Sequence, residues 1–288
     1  MTMRNPFAIA TILLTGLLTA SCYEGLDFDE YAYQSKLVVD GWIENGDYPT
    51  VVLTRSAAYF STIDSVALRK LAVTRAKVTV SDGETEEILT LKKNEGYYPP
   101  YIYQGNELTG KANRTYWLKV ELEGKVYEAT TTIPPPVQVD AVWWEPAPEN
   151  DSLGIVKVRF TDDKDMENYY RVFTKKVGEN SRFIPVYLSA IGDRYFNGET
   201  FTFSVLRGPE SLSDIHDDIY FRRGDAIEVK VAAIDCAHFD FWRTLERELY
   251  TVGNPFSSSG NEVLSNISGD ALGVWGGYNS SVHGLIAE

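Results

Sequence analysis

Residues 116–130 read YWLKVELEGKVYEAT, and apolar and polar side chains alternate on both sides of the dipeptide Glu123-Gly124. Alternation with a period of two places successive side chains on opposite faces of a strand. A glycine-containing dipeptide between two such runs is typical of a tight turn. The stretch therefore predicts an antiparallel hairpin, from Tyr116 to Leu122 and from Lys125 to Thr130, with one face buried.

Short runs rich in β-branched and aromatic residues, separated by Gly, Asn and Asp turns, recur through most of the chain. The other predicted strands are 37–43, 50–54, 76–80, 87–91, 139–144, 155–160, 169–173, 226–231 and 271–278. About seven short strands within a hundred residues are typical of an immunoglobulin-like sandwich. We therefore expect a mainly β protein, with an N-terminal immunoglobulin-like β-sandwich followed by a second β-rich domain that has one or two short helices.

Three consecutive prolines, Pro134–Pro136, interrupt this strand pattern. Proline supplies no backbone donor to a sheet, and a run of prolines favours a stiff, extended linker. The sequence therefore predicts a sandwich domain at 36–133, a proline linker at 134–138 and a second domain at 139–288.

The second predicted domain contains one clear helical pattern. Phe241, Leu245 and Leu249 recur every four residues, which predicts a helix at about 237–250 with Asp240 as an early acidic or capping residue. The adjacent pair Trp143-Trp144 lies in a predicted strand, so we expect one ring in the core and the other at the domain junction.

The N-terminal segment 1–21 has the order of a secretory signal: a charge at Arg4, an apolar run at 8–18, and small residues before Cys22. The run is shorter than the roughly 20 apolar residues that cross a bilayer. Leu18-Thr19-Ala20-Ser21-Cys22 resembles the lipobox of bacterial lipoproteins, in which the cysteine thiol carries the lipid. An ordinary signal with a cysteine at its end is the alternative. We expect lipidation at Cys22, membrane attachment through that lipid, and an acidic tether at 22–35.

The formal net charge of −14 bears on the partners of the protein. Nucleic acids are bound through clustered Lys and Arg, so the acidic balance argues against them. Cys22 and Cys236 are the two cysteines, and lipidation of Cys22 leaves no pair for a disulfide. Cys236 lies at the end of the apolar run 231–236, which we interpret as a strand, and we expect it to be a buried, unreactive thiol.

Catalytic motifs are missing from the sequence. His216, His238 and His283 are isolated, and each is most simply a surface or packing residue. There is no Gly-x-Ser-x-Gly elbow, phosphate-binding glycine loop or Cys-x-x-Cys pair. We therefore expect a protein that is not an enzyme; a hydrolase whose carboxylates come from distant strands is the least favoured alternative.

Acidic residues alternate at Asp163, Asp165 and Glu167. Their oxygens could bind one hard cation such as calcium, although the segment lacks the glycine and distal glutamate of an EF-hand loop. A solvated turn between strands explains the pattern equally well. No other cofactor is expected.

Tyrosines cluster at Tyr97, Tyr98, Tyr101 and Tyr103 in a predicted loop. Such a patch could stack on sugars or contact a protein partner. Aromatic packing at the rim of a β-sandwich is the simpler alternative.

Several short segments, taken in order, resemble one family: 37–43, 130–135, 139–142, 167–171, 223–225, 264–267 and 272–275. They resemble the domain-of-unknown-function 4249 family of Bacteroidetes lipoproteins over nearly the whole mature chain. The resemblance implies an outer-membrane lipoprotein, often encoded beside TonB-dependent receptors of the SusC/RagA type. It implies no established activity and no functional residues.

On this resemblance, we expect a non-enzymatic accessory lipoprotein that docks on a TonB-dependent outer-membrane receptor and assists nutrient capture or uptake. A stand-alone surface glycan- or peptide-binding lipoprotein is the alternative. The acids that follow the lipid cysteine, Glu24, Asp27, Asp29 and Glu30, resemble a surface-export signal. We therefore expect a lipid-anchored protein of the outer membrane that faces the cell surface.

Overall fold

The computed structural model describes residues 33–57, 64–97, 99–208, 219–251 and 262–288; the signal segment, Cys22 and most of the tether lie outside these ranges. Residues 35–288 form one compact unit. Strands account for 52% of the structure and helices for 10%, so the predicted mainly β class is confirmed.

The largest sheet, here called the main sheet, has eight strands. They are β1 (Leu37–Glu44), β2 (Thr50–Arg55), β5 (Thr90–Lys93), β6 (Tyr101–Gln104), β11 (Tyr169–Lys176), β12 (Ile184–Gly192), β15 (Ala226–Ile234) and β16 (Leu272–Ile286). Their order across the sheet is β12-β11-β15-β16-β1-β2-β6-β5. The central pair, β16 and β1, is parallel, whereas β1 and β2 are antiparallel. The main sheet therefore contains strands from both sides of the proline segment.

Two four-stranded sheets complete the fold. The hairpin sheet has the order β4-β3-β7-β8 and contains β3 (Lys77–Ser81), β4 (Glu86–Ile88), β7 (Thr115–Leu122) and β8 (Lys125–Thr132). The other, here called the β10 sheet, contains β9 (Val139–Ala147), β10 (Asn150–Thr161), β13 (Thr200–Val205) and β14 (Phe221–Arg222). The strands β9, β13 and β14 all pair with β10.

The predicted hairpin is confirmed as β7 and β8. Glu123 and Gly124 have φ angles of 51° and 79°. Positive φ at both central residues is the geometry of a type I′ turn, whose twist matches that of the flanking strands.

The core lies between one face of the main sheet and the two smaller sheets. Val39 and Ile43 of β1 share a buried cluster with Val78 and Val120 of the hairpin sheet. In the same way, the alternate residues Val229 and Val231 of β15 cluster with Val156 and Val158 of β10. Because side chains alternate along a strand, the residues between these core positions face the opposite side of the main sheet.

Two α-helices lie within the described residues, α1 (Ser65–Lys70) and α2 (Cys236–Thr251), and α2 confirms the predicted helix. The prediction that Asp240 caps α2 is wrong. Asp235, which directly follows β15, accepts the His238 N–H at 2.8 Å, whereas Asp240 lies one turn further and binds Arg243 at 2.9 Å. Neither described helix is long and apolar enough to cross a bilayer.

The prediction of a single strand at 87–91 is also wrong. The chain leaves the hairpin sheet after Ile88 and enters the main sheet at Thr90. Between them Leu89 is buried, and its N–H donates to the Val78 carbonyl at 2.8 Å. The apolar pattern at 87–91 therefore contributes residues to a strand of the hairpin sheet and to a strand of the main sheet.

The proline segment lies between β8 and β9, and the Pro134 carbonyl accepts a 2.8 Å hydrogen bond from Asn279 Nδ2 of β16. The division into domains at this segment, and the immunoglobulin-like arrangement of the first one, stay predictions. Of the tryptophan pair, Trp144 is buried as expected for a core ring, whereas Trp143 is 36% exposed and lies 5.8 Å from the Arg159 guanidinium.

Candidate functional site

A pocket of about 600 Å³ lies on the face of the main sheet that the small sheets leave uncovered. The strand side chains that line it are Asp40, Trp42, Glu44, Arg171, Phe173, Lys230 and Tyr278. The strand register brings Glu44 beside Tyr278 and Phe173 beside Lys230. Strands from distant parts of the chain therefore form the floor of one pocket.

The walls come from three other segments. Helix α2 contributes His238 and Trp242, and the connection between β11 and β12 contributes Arg182 and Phe183. Tyr97, which precedes β6, completes the wall beside β1.

A glycine and an aspartate bring α2 onto the sheet. A Cβ atom on Gly276 of β16 would lie 2.1 Å from His238 Nδ1, so only glycine allows this close approach. Asp235 holds the start of the helix, because its carboxylate accepts hydrogen bonds from the Thr131 hydroxyl and from the Thr132 N–H of β8. Burial raises the pKa of Asp235, and these hydrogen bonds oppose the increase.

Six aromatic side chains line the pocket: Trp42, Tyr97, Phe173, Phe183, Trp242 and Tyr278. Trp42 and Tyr97 are stacked with ring centroids 5.9 Å apart, and Phe173 contacts Tyr278 edge to face at 6.0 Å. Aromatic walls with a few oriented polar groups are characteristic of small-molecule sites.

Arg171 is a buried cation in the pocket wall, with 3% of its surface exposed. Its Nε donates to Ser189 Oγ at 3.1 Å and its Nη1 donates to the Tyr278 hydroxyl at 2.6 Å. The guanidinium carbon lies 3.3 Å from the centroid of the Trp242 ring. These contacts fix the orientation of the Arg171 side chain.

Behind Arg171, the Ser189 hydroxyl donates to Glu246 of α2. Burial raises the pKa of Glu246, whereas the hydrogen bond from Ser189 and the charge of Arg171 lower it. This network connects β11, β12 and α2 around one side of the pocket.

Lys230 and Glu44 form an ion pair at 2.5 Å across β15 and β1. The Lys230 ammonium also lies 5.7 Å from the ring centroids of both Phe173 and Tyr278. The charges of both side chains are therefore satisfied within the protein.

Asp40 and Arg182 differ from these pairs. Both side chains are exposed to the pocket, and neither has a hydrogen bond or ion pair within the described parts of the chain. The surrounding walls limit hydration of Asp40, and this burial raises its pKa, while the charges of Arg171 and Arg182 lower it. The pocket therefore presents one acceptor and one donor group that protein atoms leave free.

Two further polar atoms of the lining residues are buried without a hydrogen bond to the described chain, Trp242 Nε1 and His238 Nδ1. Burial, followed by the charge of Arg171, lowers the pKa of His238 to about 3. His238 is therefore uncharged at neutral pH and packs as an aromatic ring, 4.6 Å from Tyr278. Among the other histidines, His283 lies on β16 and His216 lies outside the described residues.

The described tyrosines Tyr97 and Tyr103 do not lie on one exposed surface. Tyr97 lines the pocket, while Tyr103 is 3% exposed, accepts the Ala76 N–H at 3.0 Å and donates to the Val73 carbonyl at 3.2 Å. Tyr101 begins β6 and Tyr98 lies outside the described residues. A contact role for Tyr98 and Tyr101 stays a prediction.

The predicted calcium ligands lie in the exposed turn between β10 and β11. Asp163 Oδ1 accepts the Asp165 N–H at 3.1 Å, and Glu167 accepts the Tyr169 hydroxyl at 3.0 Å. Within the described ranges, no three His, Cys, Asp or Glu side chains are grouped as metal ligands. Calcium binding here stays a prediction.

The prediction that Cys236 is buried is wrong. It is exposed at the first residue of α2, with its Sγ 3.8 Å from Asp240 Oδ2. The apolar strand that precedes it ends at Ile234, so the side chain projects from the helix start instead of from the sheet.

The polar residues of the pocket are not among the predicted site residues, although the sequence contains a signal. Asp40 and Arg171 are charges inside apolar runs that are predicted as strands. A charge at such a position indicates either a solvated face or a site. Only the sheet pairing and the packing of α2 on the sheet show that these charges and Trp242 line the same pocket.

Comparison with known protein families identifies a match over most of the chain. The family described as "Domain of unknown function (DUF4249)" matches residues 24–283. No curated protein matches the chain.

Proposed function

The chain belongs to the DUF4249 family, and we propose that it is an exported, lipid-anchored protein that binds a small nutrient in the pocket of the main sheet. In this proposal it is an accessory of a TonB-dependent outer-membrane receptor. It captures the ligand at the cell surface and delivers it to that receptor.

The pocket is the observation that carries the proposal. Its volume of about 600 Å³ lies within the roughly 300–1,000 Å³ of small-molecule sites. The rigid aromatic walls provide contact area with little loss of side-chain entropy. The Asp40 carboxylate and the Arg182 guanidinium face the pocket without a hydrogen bond or ion pair in the described chain, so a ligand can bind them without breaking one.

The charges of the pocket support binding without catalysis. Hydrolysis of a glycoside requires two carboxyl groups about 5–9.5 Å apart on either side of the bond. Of the three acids that line the pocket, Glu44 is neutralised by Lys230 and Glu179 is paired with Lys176. Asp40 alone is left unpaired among them, which favours a recognition role.

The accessory role rests on the N-terminal sequence. A lipid on Cys22 would restrict the protein to the membrane that contains the receptor, and the acidic tether would give it reach. Stand-alone capture of a glycan or peptide is the second candidate, and the same pocket supports it.

The pocket function is tested by ligand selection with the purified, lipidated protein in detergent micelles. The protein is immobilised and exposed to mixtures of neutral oligosaccharides and of short peptides, and the retained compounds are identified by mass spectrometry. We expect retention by the wild type and loss in Trp42→Ala. The matched control is Trp117→Ala, because Trp117 is an exposed ring of the hairpin sheet and does not line the pocket. Equal retention by the two variants would refute the pocket as the binding site.

The accessory role is tested by affinity purification of the lipidated protein from native outer membranes. A TonB-dependent receptor recovered in a stoichiometric amount is the expected result. Recovery of the lipoprotein alone would leave stand-alone capture as the remaining candidate.

A further inference from the structure

The charges in the pocket indicate the chemistry of its ligand. Three acids, Asp40, Glu44 and Glu179, and three bases, Arg171, Arg182 and Lys230, line it. The formal charge of the lining is therefore zero, in a protein whose formal net charge is −14. This balance fits a ligand without net charge better than an anion or a cation.

Protein contacts already satisfy most of these charges. Lys230 binds Glu44 at 2.5 Å, and Glu179 binds Lys176 at 2.9 Å. Arg171 donates to two hydroxyls and stacks on Trp242. Asp40 and Arg182 are left for the ligand.

A ligand that fills the pocket removes water from both free charges. A neutral sugar would leave a desolvated carboxylate and guanidinium without a direct ion pair, because Asp40 feels only the nearby charges of Arg171 and Arg182. Desolvation of such groups costs more than the desolvation of a neutral group. An anionic ligand would be repelled by Asp40, and a cationic ligand by Arg182. A ligand that carries one positive and one negative group satisfies both charges.

The surroundings of Asp40 also suit a positive group. Trp42 is two residues from Asp40 on the same face of β1, and its ring stacks on Tyr97. An ammonium group bound by Asp40 would lie beside these rings, where cation–π attraction adds to the ion pair. Arg182 is an exposed guanidinium in the wall, where it can bind a carboxylate through two parallel hydrogen bonds.

We propose that the pocket binds a zwitterion of the peptide class, with the ligand ammonium at Asp40 and the ligand carboxylate at Arg182. The proposal rests on the proposed function, because it names the ligand class of the same pocket. The non-polar side chains of the peptide would pack against the aromatic walls.

The experiment begins with the selection described above, extended by four probe mixtures. These are tripeptides with free termini, the same tripeptides N-acetylated or C-amidated, free amino acids, and neutral oligosaccharides. The proposal predicts that wild-type protein retains zwitterions, either tripeptides or amino acids, and releases both blocked forms. Comparison of the tripeptide mixture with the amino-acid mixture shows which of these two kinds of zwitterion the pocket binds.

The retained compound is then titrated calorimetrically against wild type, Asp40→Asn and Arg182→Gln. N-acetylation is expected to weaken binding to wild type by about tenfold or more, the scale of one charge-assisted contact. It should weaken binding to Asp40→Asn little further, because this variant already lacks the carboxylate that binds the ligand ammonium. Likewise, C-amidation should weaken binding to wild type by a similar factor, and it should weaken binding to Arg182→Gln little further. Glu128→Gln and Arg75→Gln are controls that change exposed charges outside the pocket lining.

The possible failures are distinguishable. Retention of oligosaccharides that Trp42→Ala abolishes would overturn the zwitterion proposal and leave the binding function intact. Equal affinity for free and blocked peptides would do the same. Retention of no compound from any mixture would overturn the binding function, and the zwitterion proposal with it.

Discussion

Gly276 shows how a single atom controls the pocket wall. Its position on β16 lies under His238, and the space that a Cβ would occupy is already filled by the imidazole. The packing density of protein interiors leaves no room to absorb such an overlap without moving an element.

Gly276→Ala is therefore expected to destabilise the protein by about 1–3 kcal/mol, the usual cost of overpacking. Urea unfolding monitored by tryptophan fluorescence measures the change. Gly284→Ala is the matched control, because Gly284 lies on the same strand with no atom within 4 Å of an added Cβ. A similar loss of stability in both variants would show that the contact with His238 is not the cause.

His238 makes stability depend on pH in a defined direction. Its folded pKa of about 3 lies below the ordinary histidine value of 6.5, so between these values the unfolded chain binds a proton that the folded chain does not. The contribution of His238 to stability is therefore complete above about pH 6.5 and falls as pH decreases toward 3, by at most about 1.4 kcal/mol per pH unit. Asp40, Asp235 and Glu246 have raised pKa values and act in the opposite direction.

The His238 contribution is isolated by comparing wild type with His238→Gln at pH 7 and pH 5. The decrease in unfolding free energy between the two pH values should be larger in wild type than in His238→Gln. An identical pH dependence in wild type and His238→Gln would contradict the lowered pKa.

At the scale of elements, α2 depends on the residue that joins it to β15. Asp235 caps the helix through His238 N–H and also binds Thr131 and Thr132 of β8. One carboxylate thus positions the helix that carries His238 and Trp242 into the pocket.

Asp235→Ala is expected to cost about 1–2 kcal/mol for the cap alone, and more because the Thr131 hydroxyl loses its acceptor. Asp240→Ala should cost less than about 1 kcal/mol, since the Asp240–Arg243 pair is partly exposed. Chemical denaturation of both variants compares the two aspartates. A larger effect at Asp240 would restore the original capping prediction.

At the scale of the whole molecule, the last strand, β16, pairs with β1, the first strand of the described chain. Trp275 of β16 is fully buried in the cluster that also contains Val39 and Tyr116, and its Nε1 donates to the Tyr116 carbonyl at 3.2 Å. Residues 36–133 therefore bury part of their core against a strand that lies outside them.

A fragment of residues 36–133 is expected to lack a cooperative unfolding transition, because it exposes the apolar surface that Trp275 covers in the full chain. Circular dichroism during heating of the fragment, with the full chain as control, measures this. A cooperative transition in the fragment would support the division into domains at 134–138.

The predicted lipidation at Cys22 is tested on the whole molecule. Cys22→Ala should abolish incorporation of labelled fatty acid and release the protein from the membrane fraction, while Cys236→Ala should retain both. Continued labelling of Cys22→Ala would contradict the lipobox prediction.

Local sequence alone determined the mainly β class, the hairpin at Glu123-Gly124 and the helix at α2, because alternation, turn chemistry and four-residue periodicity act between near neighbours. It did not predict that the chain changes from one sheet to another at Leu89. It also did not predict that Asp235 both caps the helix and binds a distant strand. Only the tertiary structure decided the pocket. Asp40, Arg171 and Tyr278 are far apart in the chain, and the pairing of β1 with β16, of β16 with β15 and of β15 with β11 brings them onto one face. That pairing depends on burial across the whole molecule, which no local pattern records.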